Sequence, residues 1–343
     1  MRGRFLSFLK PALAGAIGLA LAGAAMAQAK YQLRWGHYLP DGPFLQLEKD
    51  FANRVEQRTN GQVKITITFA EGLGKGTELL LLTGRGAIDM SSVAPGYNPD
   101  QLRYWRAFQT PMVFGNAVQV IRHMEKVIEE FPAYRDEMDK VGVVWLFQQP
   151  LGEYYMSGNN DACLTIAGLK GKKARSFGAD IPKAFTAIGA VPVTVPPVGV
   201  YEALKSGNLD FSFINPGNIQ SLKLNEVAKV HCGPIMAISG HNVMIGKRTW
   251  ARLPADIQKI MMEEGKATQE AYLKWVTEFE AKAVENIRAQ GGRVVPMPAE
   301  ELKKWRAAAP DFLVEWEKAT AAATGDADTP RKVAARWRQL LSQ

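Results

Sequence analysis

The apolar positions of this chain repeat a single order of patterns twice. Tyr31 to Gly36 has the composition of a strand, and Leu47, Phe51 and Val55 recur at helical spacing, which predicts an amphipathic helix over Phe44 to Thr59. Asn60-Gly61 suits its C-terminal cap. Alternation predicts a strand over Val63 to Phe69, then come a loop at Glu71 to Gly76, a Leu-rich helix from Glu78 to Leu82 and a short strand over Gly86 to Met90. After Gly168 the order returns: strand Lys172 to Gly178, helix Ile181 to Gly189, strand Val191 to Val195, helix Val200 to Ser206, then Gly207 to Phe211. Gly86 and Asp89 of the first copy thus mirror Gly207 and Asp210 of the second.

Two β-α-β-α-β units imply two α/β lobes, each with right-handed crossovers. Ligands of such sheets bind beyond the carboxyl ends of the strands. That rule selects Gly36-His37-Tyr38 and Val93 to Gly96 in the first lobe, and Ala174 to Phe177 and Phe213 to Pro216 in the second.

Leu253-Pro254 opens a helical pattern that runs to Gln290, where Gly291-Gly292 stops it. At 1.5 Å per residue this is roughly 50 Å, longer than one lobe. Ile257, Ile260, Met261, Ala271, Trp275, Phe279, Ala283 and Ile287 form its apolar face, and Gly265 marks either a kink or a break into two helices. The tail from Pro298 is helical and charged, with Trp305, Phe312, Trp316 and Trp337 as packing residues.

The N-terminus changes the picture. Arg2, Arg4 and Lys10 precede an apolar run from Ala12 to Met26 closed by Ala25-Met26-Ala27, the layout of a cleaved secretory signal over residues 1–27. Glycines interrupt the run, and it is shorter than the ~20 residues of a membrane span. The 343-residue chain is long enough, even without this leader, to exceed the ~250–300 residues at which one core stops growing. Three of the eight excess positive charges belong to the leader, and the remainder suits anionic ligands without any basic-aromatic cluster for nucleic acid. Export permits a disulfide between Cys163 and Cys232, while two buried thiols fit the sequence as well. The histidines at 37, 123, 231 and 241 are scattered, so no metal or other cofactor is expected.

Glu71 to Thr77 is glycine-rich between a strand and a helix, but its spacing fits neither a Walker loop nor a dinucleotide fingerprint. GxSxG, HExxH and closely paired carboxylates are all missing, so no catalytic residue is nominated. Arg175, at the end of its strand, is the best candidate for ligand chemistry, since a guanidinium there can hold a carboxylate through two parallel hydrogen bonds. Asn215 ends the neighbouring strand and is expected to donate to the same carboxylate, with Tyr154, Tyr155 and Phe177 as an aromatic wall.

Several segments match a known family: EQRTNGQVKI (Glu56 to Ile65), GRGAIDM (Gly84 to Met90), LKGKKARSFG (Leu169 to Gly178), VPPVGVYEALKSGNLD (Val195 to Asp210), NEVAKV (Asn225 to Val230) and TWARLPADIQK (Thr249 to Lys259). In order and spacing the chain resembles the DctP-type extracytoplasmic solute-binding proteins of tripartite ATP-independent periplasmic (TRAP) transporters. The resemblance implies a two-lobe α/β periplasmic binding protein, type II-like, with a long interlobe helix. Its first lobe would take residues 28–150 plus about 237–270, and its second 151–236 plus about 271–343. The cleft would close over a small organic acid that is then handed to membrane subunits, and Arg175 stands where the family places its carboxylate clamp. Many members carry a second arginine where this chain has Tyr154, which points to a monocarboxylate. Tyr38, Pro95, Tyr97, Tyr154 and Phe177 would line the cleft. A periplasmic enzyme on the same scaffold, or a protein that presents its ligand to a membrane sensor, are the competing expectations.

Overall fold

The computed structural model describes residues 29–342, so the leader expected over residues 1–27 lies outside the described residues. The chain opens with β1 (Tyr31–Gly36), α1 (Gln46–Arg58), β2 (Val63–Thr68), α2 (Leu79–Gly84) and β3 (Met90–Val93), followed by α3 (Ala117–Glu130), α4 (Ala133–Lys140) and β4 (Val143–Gln149). The middle carries β5 (Tyr154–Gly158), α5 (Ile166–Leu169), β6 (Lys173–Ser176), α6 (Ile181–Thr186), β7 (Val191–Thr194), α7 (Val200–Lys205), β8 (Ser212–Ile214), α8 (Pro216–Ser221) and β9 (Val230–Met236). It finishes with β10 (His241–Gly246), α9 (Lys247–Arg252), α10 (Ala255–Ala289), β11 (Arg293–Val295), α11 (Ala299–Ala308), α12 (Phe312–Thr324) and α13 (Asp328–Leu341). Among the described residues no helix is long and apolar enough to cross a membrane.

The repeat read from the sequence is a repeat of topology. The first sheet runs β2-β1-β3-β10-β4, with β1 parallel to β2 and β3, and β10 antiparallel to its neighbours. The second runs β11-β9-β5-β8 and continues through a bridge between Ala174 and Phe211 into the parallel β6-β7 pair. In both lobes, therefore, three strands joined by helical crossovers meet an antiparallel fourth strand, β10 or β5.

The third strand of each unit starts later than its sequence suggests. Gly86 and Gly207 have positive φ values of 78° and 72° and make turns, a conformation open to glycine at little cost, so the strands begin only at Met90 and Ser212. The mirrored aspartates then bind the central strand of each unit in the same way. Asp89 Oδ2 accepts the backbone N–H of Arg34 at 3.0 Å, and Asp210 Oδ2 accepts that of Lys173 at 2.7 Å.

α10 is one continuous helix of 35 residues, which overturns the reading of two helices broken at Gly265. A Cβ on Gly265 would lie 2.8 Å from the Leu146 carbonyl oxygen, so this glycine lets the helix lie close against β4 instead of breaking it. The buried face also differs from the apolar stripe. Ile260, Trp275 and Phe279 are only partly buried, while Glu264, Thr268, Gln269 and Glu280 are buried and held by polar partners such as Arg54, Gln148 and Asn215. α10 packs on α1 and β4 of the first lobe and on α8 and β11 of the second. With the segments 150–153 and 237–240 it connects the two lobes.

Trp305, Phe312, Trp316 and Trp337 are all buried, as expected of packing residues. The tail that carries them, expected with the second lobe, touches both. Trp305 Nε1 donates to the Ala184 carbonyl at 2.8 Å, whereas Trp316 packs on Tyr104 and Trp337 on Phe108 and Phe114. Cys163 and Cys232, left open by the sequence, are joined in a disulfide within the second lobe.

Candidate functional site

The carboxyl end of β6 places Arg175 in the interior, with only 2% of its surface exposed. Its Nε donates to the Val195 carbonyl at 3.0 Å and its Nη1 to the Phe213 carbonyl at 2.8 Å, so the ends of β7 and β8 hold the guanidinium in place. The Phe177 ring lies 5.0 Å away, within cation–π range. Among the described residues no carboxylate comes within 4.0 Å of this buried charge. Burial raises the Tyr38, Tyr97 and Tyr154 phenols, with Arg175 opposing in each case. All three are therefore neutral at pH 7 and leave Arg175 without an anionic partner.

A cleft of about 560 Å³ opens between the lobes against Phe177 and Val195, the two residues that hold Arg175 from its side, while Arg175, Tyr38, Tyr154 and Asn215 stand behind the lining. Glu71, Lys75, Gly76, Thr77, Gly96, Tyr97 and Pro99 line it from the first lobe; Phe177 to Ala179 and Thr194 to Pro196 line it from the second. Tyr97 and Phe177 face each other edge-on at 6.1 Å, and Tyr154 lies behind Phe177 at 5.8 Å and against Phe213 at 4.8 Å. Tyr38 backs Tyr97 at 5.5 Å. Pro95 is buried at the start of a short 3-10 turn, Pro95–Tyr97, and does not line the cleft itself; the turn presents Gly96 and Tyr97.

Asn215 is not oriented as the sequence reading expects. Its Nδ2 donates to Glu280 Oε1 at 2.5 Å and its Oδ1 accepts from Asn218 at 2.6 Å. The cause is Glu280, a buried carboxylate of α10 that also takes the Gly217 N–H at 2.9 Å and needs such donors where water cannot reach. Even so, burial raises Glu280 to about 7. A side chain on Gly152, in the connection to the second lobe, would run into this carboxylate.

Beside the cleft lies a polar chain that crosses the first lobe. Glu48, on α1, has Oε1 2.7 Å from His241 Nε2 and Oε2 3.1 Å from His37 Nε2, and all three side chains are fully buried. The Tyr38 hydroxyl lies 3.3 Å from His241 Nδ1. These ligand-type atoms fall within 4.8 Å of one another, the spacing of a metal site. The backbone N–H of Leu39, however, donates to His37 Nδ1 at 2.9 Å, which leaves the ring proton on Nε2, the atom a metal would need bare. Glu48, His241 and Tyr38 work as a hydrogen-bond relay, with His37 packed beside it.

The lobes meet along the cleft rim. Arg106 Nε lies 3.5 Å from Asp180 Oδ2, and the Gly96 and Gly178 backbones run so close that a Cβ on Gly178 would lie 3.1 Å from the Gly96 carbonyl oxygen. Gln109 accepts the Gly96 N–H at 2.6 Å and donates to the carbonyls of Ser239 and Gly240, which ties the rim to the 237–240 connection. A second polar set, Ser157, His231 and Asn225, is buried inside the second lobe, and none of the three lines the cleft.

Sequence reasoning missed Glu71, Lys75 and Thr77, although the strand-end rule applied to β2 would have found them. It also missed Glu48, which stands on the same helix face as Phe51 and Val55 and is a polar residue at a core position.

Residues 37–319 match the model of the family described as bacterial extracellular solute-binding protein, family 7, DctP. A C4-dicarboxylate-binding periplasmic protein of Rhodobacter capsulatus is 27% identical over 86% of this chain and 89% of its own. Among solved structures, a TRAP solute-binding protein of Rhodoferax ferrireducens in complex with copurified benzoate superposes with a TM-score of 0.80 at 20% identity, over 91% of this chain and 97% of that one. One from Desulfovibrio salexigens with bound orotic acid gives 0.79 at 22% identity, over 90% and 99%.

Proposed function

The chain belongs to the bacterial extracellular solute-binding proteins of family 7, the periplasmic solute receptors of TRAP transporters, and we propose that it captures a small monocarboxylate with Arg175 as the clamp. The bound acid would close the cleft and be delivered to the transporter's membrane subunits.

The observation that carries this reading is the buried guanidinium of Arg175 without a carboxylate partner among the described residues. A buried charge that lacks its counter-ion costs several kcal/mol, and an incoming carboxylate offsets that cost. Tyr154, buried and neutral beside Phe177, supports a single-cation site. The aromatic wall of Tyr97, Phe177 and Tyr154 suits a ring or an apolar tail, in keeping with the benzoate and orotic acid held by the two similar structures.

One observation favours a dicarboxylate instead. Lys75 lines the cleft, is exposed and forms no ion pair among the described residues, so a second carboxylate would find a second cation. A thermal-shift screen of mono- and dicarboxylates on wild type, Arg175→Ala and Lys75→Ala separates the two. A ligand at one hundred times its dissociation constant adds ~2.7 kcal/mol. The proposal expects monocarboxylates to stabilise the wild type and Lys75→Ala but not Arg175→Ala. Stabilisation by dicarboxylates that needs both cations overturns the monocarboxylate assignment, and an equal response from Arg175→Ala overturns the clamp.

A further inference from the structure

The relay beside the cleft fixes the direction of each of its protons. Leu39 N–H fills the lone pair of His37 Nδ1, so His37 carries its proton on Nε2, which lies 3.1 Å from Glu48 Oε2 without the alignment of a hydrogen bond. Glu48 has its other oxygen 2.7 Å from His241 Nε2 and accepts the proton there. Burial favours the neutral acid, but the two rings and the His241 hydrogen bond outweigh it and hold Glu48 at about 2, so it is an anion and acts only as an acceptor. With its proton on Nε2, His241 offers a bare Nδ1. Burial keeps the His241 imidazole below its ordinary range against the pull of Glu48, which leaves it neutral. The hydrogen received at Nδ1 is therefore that of the Tyr38 hydroxyl.

The consequence falls on the Tyr38 oxygen. Its proton is committed to His241, its lone pairs meet no donor among the described residues, and the residue is 3% exposed. It packs against Tyr97 and Gly76, both of which line the cleft, and lies within electrostatic reach of the Arg175 charge. A buried acceptor left without a donor is costly.

Resting on the carboxylate reading above, we propose that the bound acid carries a hydrogen-bond donor, a hydroxyl or N–H, that the Tyr38 oxygen receives, with Glu48 and His241 as positioning residues that hold this oxygen in its accepting state. The ligand class narrows to hydroxy acids and N–H-bearing cyclic acids, and oxo acids of the same skeleton are disfavoured.

The test is calorimetric titration of paired probes: acids with a hydroxyl at C2 or C3 and the matching oxo acids, each in aliphatic and phenyl-bearing form. Wild type, Tyr38→Phe and Arg175→Ala are compared. The expected result is a preference of about tenfold or more for the hydroxy acid in the wild type, reduced to within about twofold in Tyr38→Phe while oxo-acid affinity holds. Equal Arg175-dependent binding of both members of a pair, or a preference for the oxo acid, overturns the relay inference and leaves the clamp standing. Binding of both that persists in Arg175→Ala overturns the clamp as well. The wild-type ratio decides the matter even where Tyr38→Phe does not fold.

Discussion

Arg106 of the first lobe and Asp180 of the second form a nearly buried ion pair at 3.5 Å across the mouth of the cleft. The pair joins the lobes as they stand in this structure, and an opening of the cleft would return both groups to water.

Asp180→Asn should therefore act on the lifetime of the complex. In the closed form it leaves Arg106 buried without its partner, a penalty the open form escapes. Ligand dissociation should accelerate about ten- to a hundredfold with association nearly unchanged, as stopped-flow fluorescence would record. A variant that slows association and leaves dissociation alone would show that the pair guides encounter instead of holding the lobes shut.

Glu280 gives the protein a pH dependence of definite sign. Its carboxyl is raised from 4.5 to about 7, so between these values the folded state keeps a proton that the unfolded state has lost. Stability from this group falls as pH rises through that window, by about 3 kcal/mol in all, and levels off above it. His231, lowered to about 4 by burial, works in the opposite sense over much of the same range, so the whole-protein profile is a poor readout. The difference between Glu280→Gln and wild type isolates the effect. That difference should grow in favour of the glutamine from pH 4.5 to pH 7; a constant offset in chemical denaturation would rule this out.

Gly265→Ala should destabilise the protein although alanine is the better helix former. The propensity gain of ~1 kcal/mol is set against a methyl group 2.8 Å from the Leu146 carbonyl, and overpacking of that kind costs about 1–3 kcal/mol. A melting temperature lower by roughly 2 to 4 °C is expected. A rise in its place would mean that α10 can lift from β4 without loss.

How much of this was legible in the sequence depends on how local each cause is. The β-α-β-α-β repeat could be read because alternation and helical spacing are short-range, and the Gly86/Asp89 and Gly207/Asp210 mirror reflects two equivalent turns with the same backbone cap. The prominence of Arg175 followed from strand order alone. The continuity of α10 could not be read at Gly265, because what decides it is a carbonyl oxygen on β4, more than a hundred positions earlier. Asn215 looked like a ligand donor because nothing nearby in sequence announces Glu280, 65 residues away. The relay was hidden for the same reason: Glu48 and His241 are separated by 193 positions and meet only after both strands and helix are in place. The pairing of Cys163 with Cys232 likewise depends on a fold that brings together residues 69 apart.

β10 lies between β3 and β4, yet it enters the chain only at His241, after β5 to β9 have gone by. A polypeptide that emerges N-terminus first cannot complete its first sheet while β4 waits for the strand that should separate it from β3. The second lobe waits almost as long. β5, β8 and β9 pair among themselves, β6 and β7 join them through Ala174, and the late β11 adds only an edge. Both sheets therefore close late and almost together: the second gains β9 at Val230–Met236 and the first gains β10 at His241–Gly246, so the two faces of the cleft depend on one short stretch of chain.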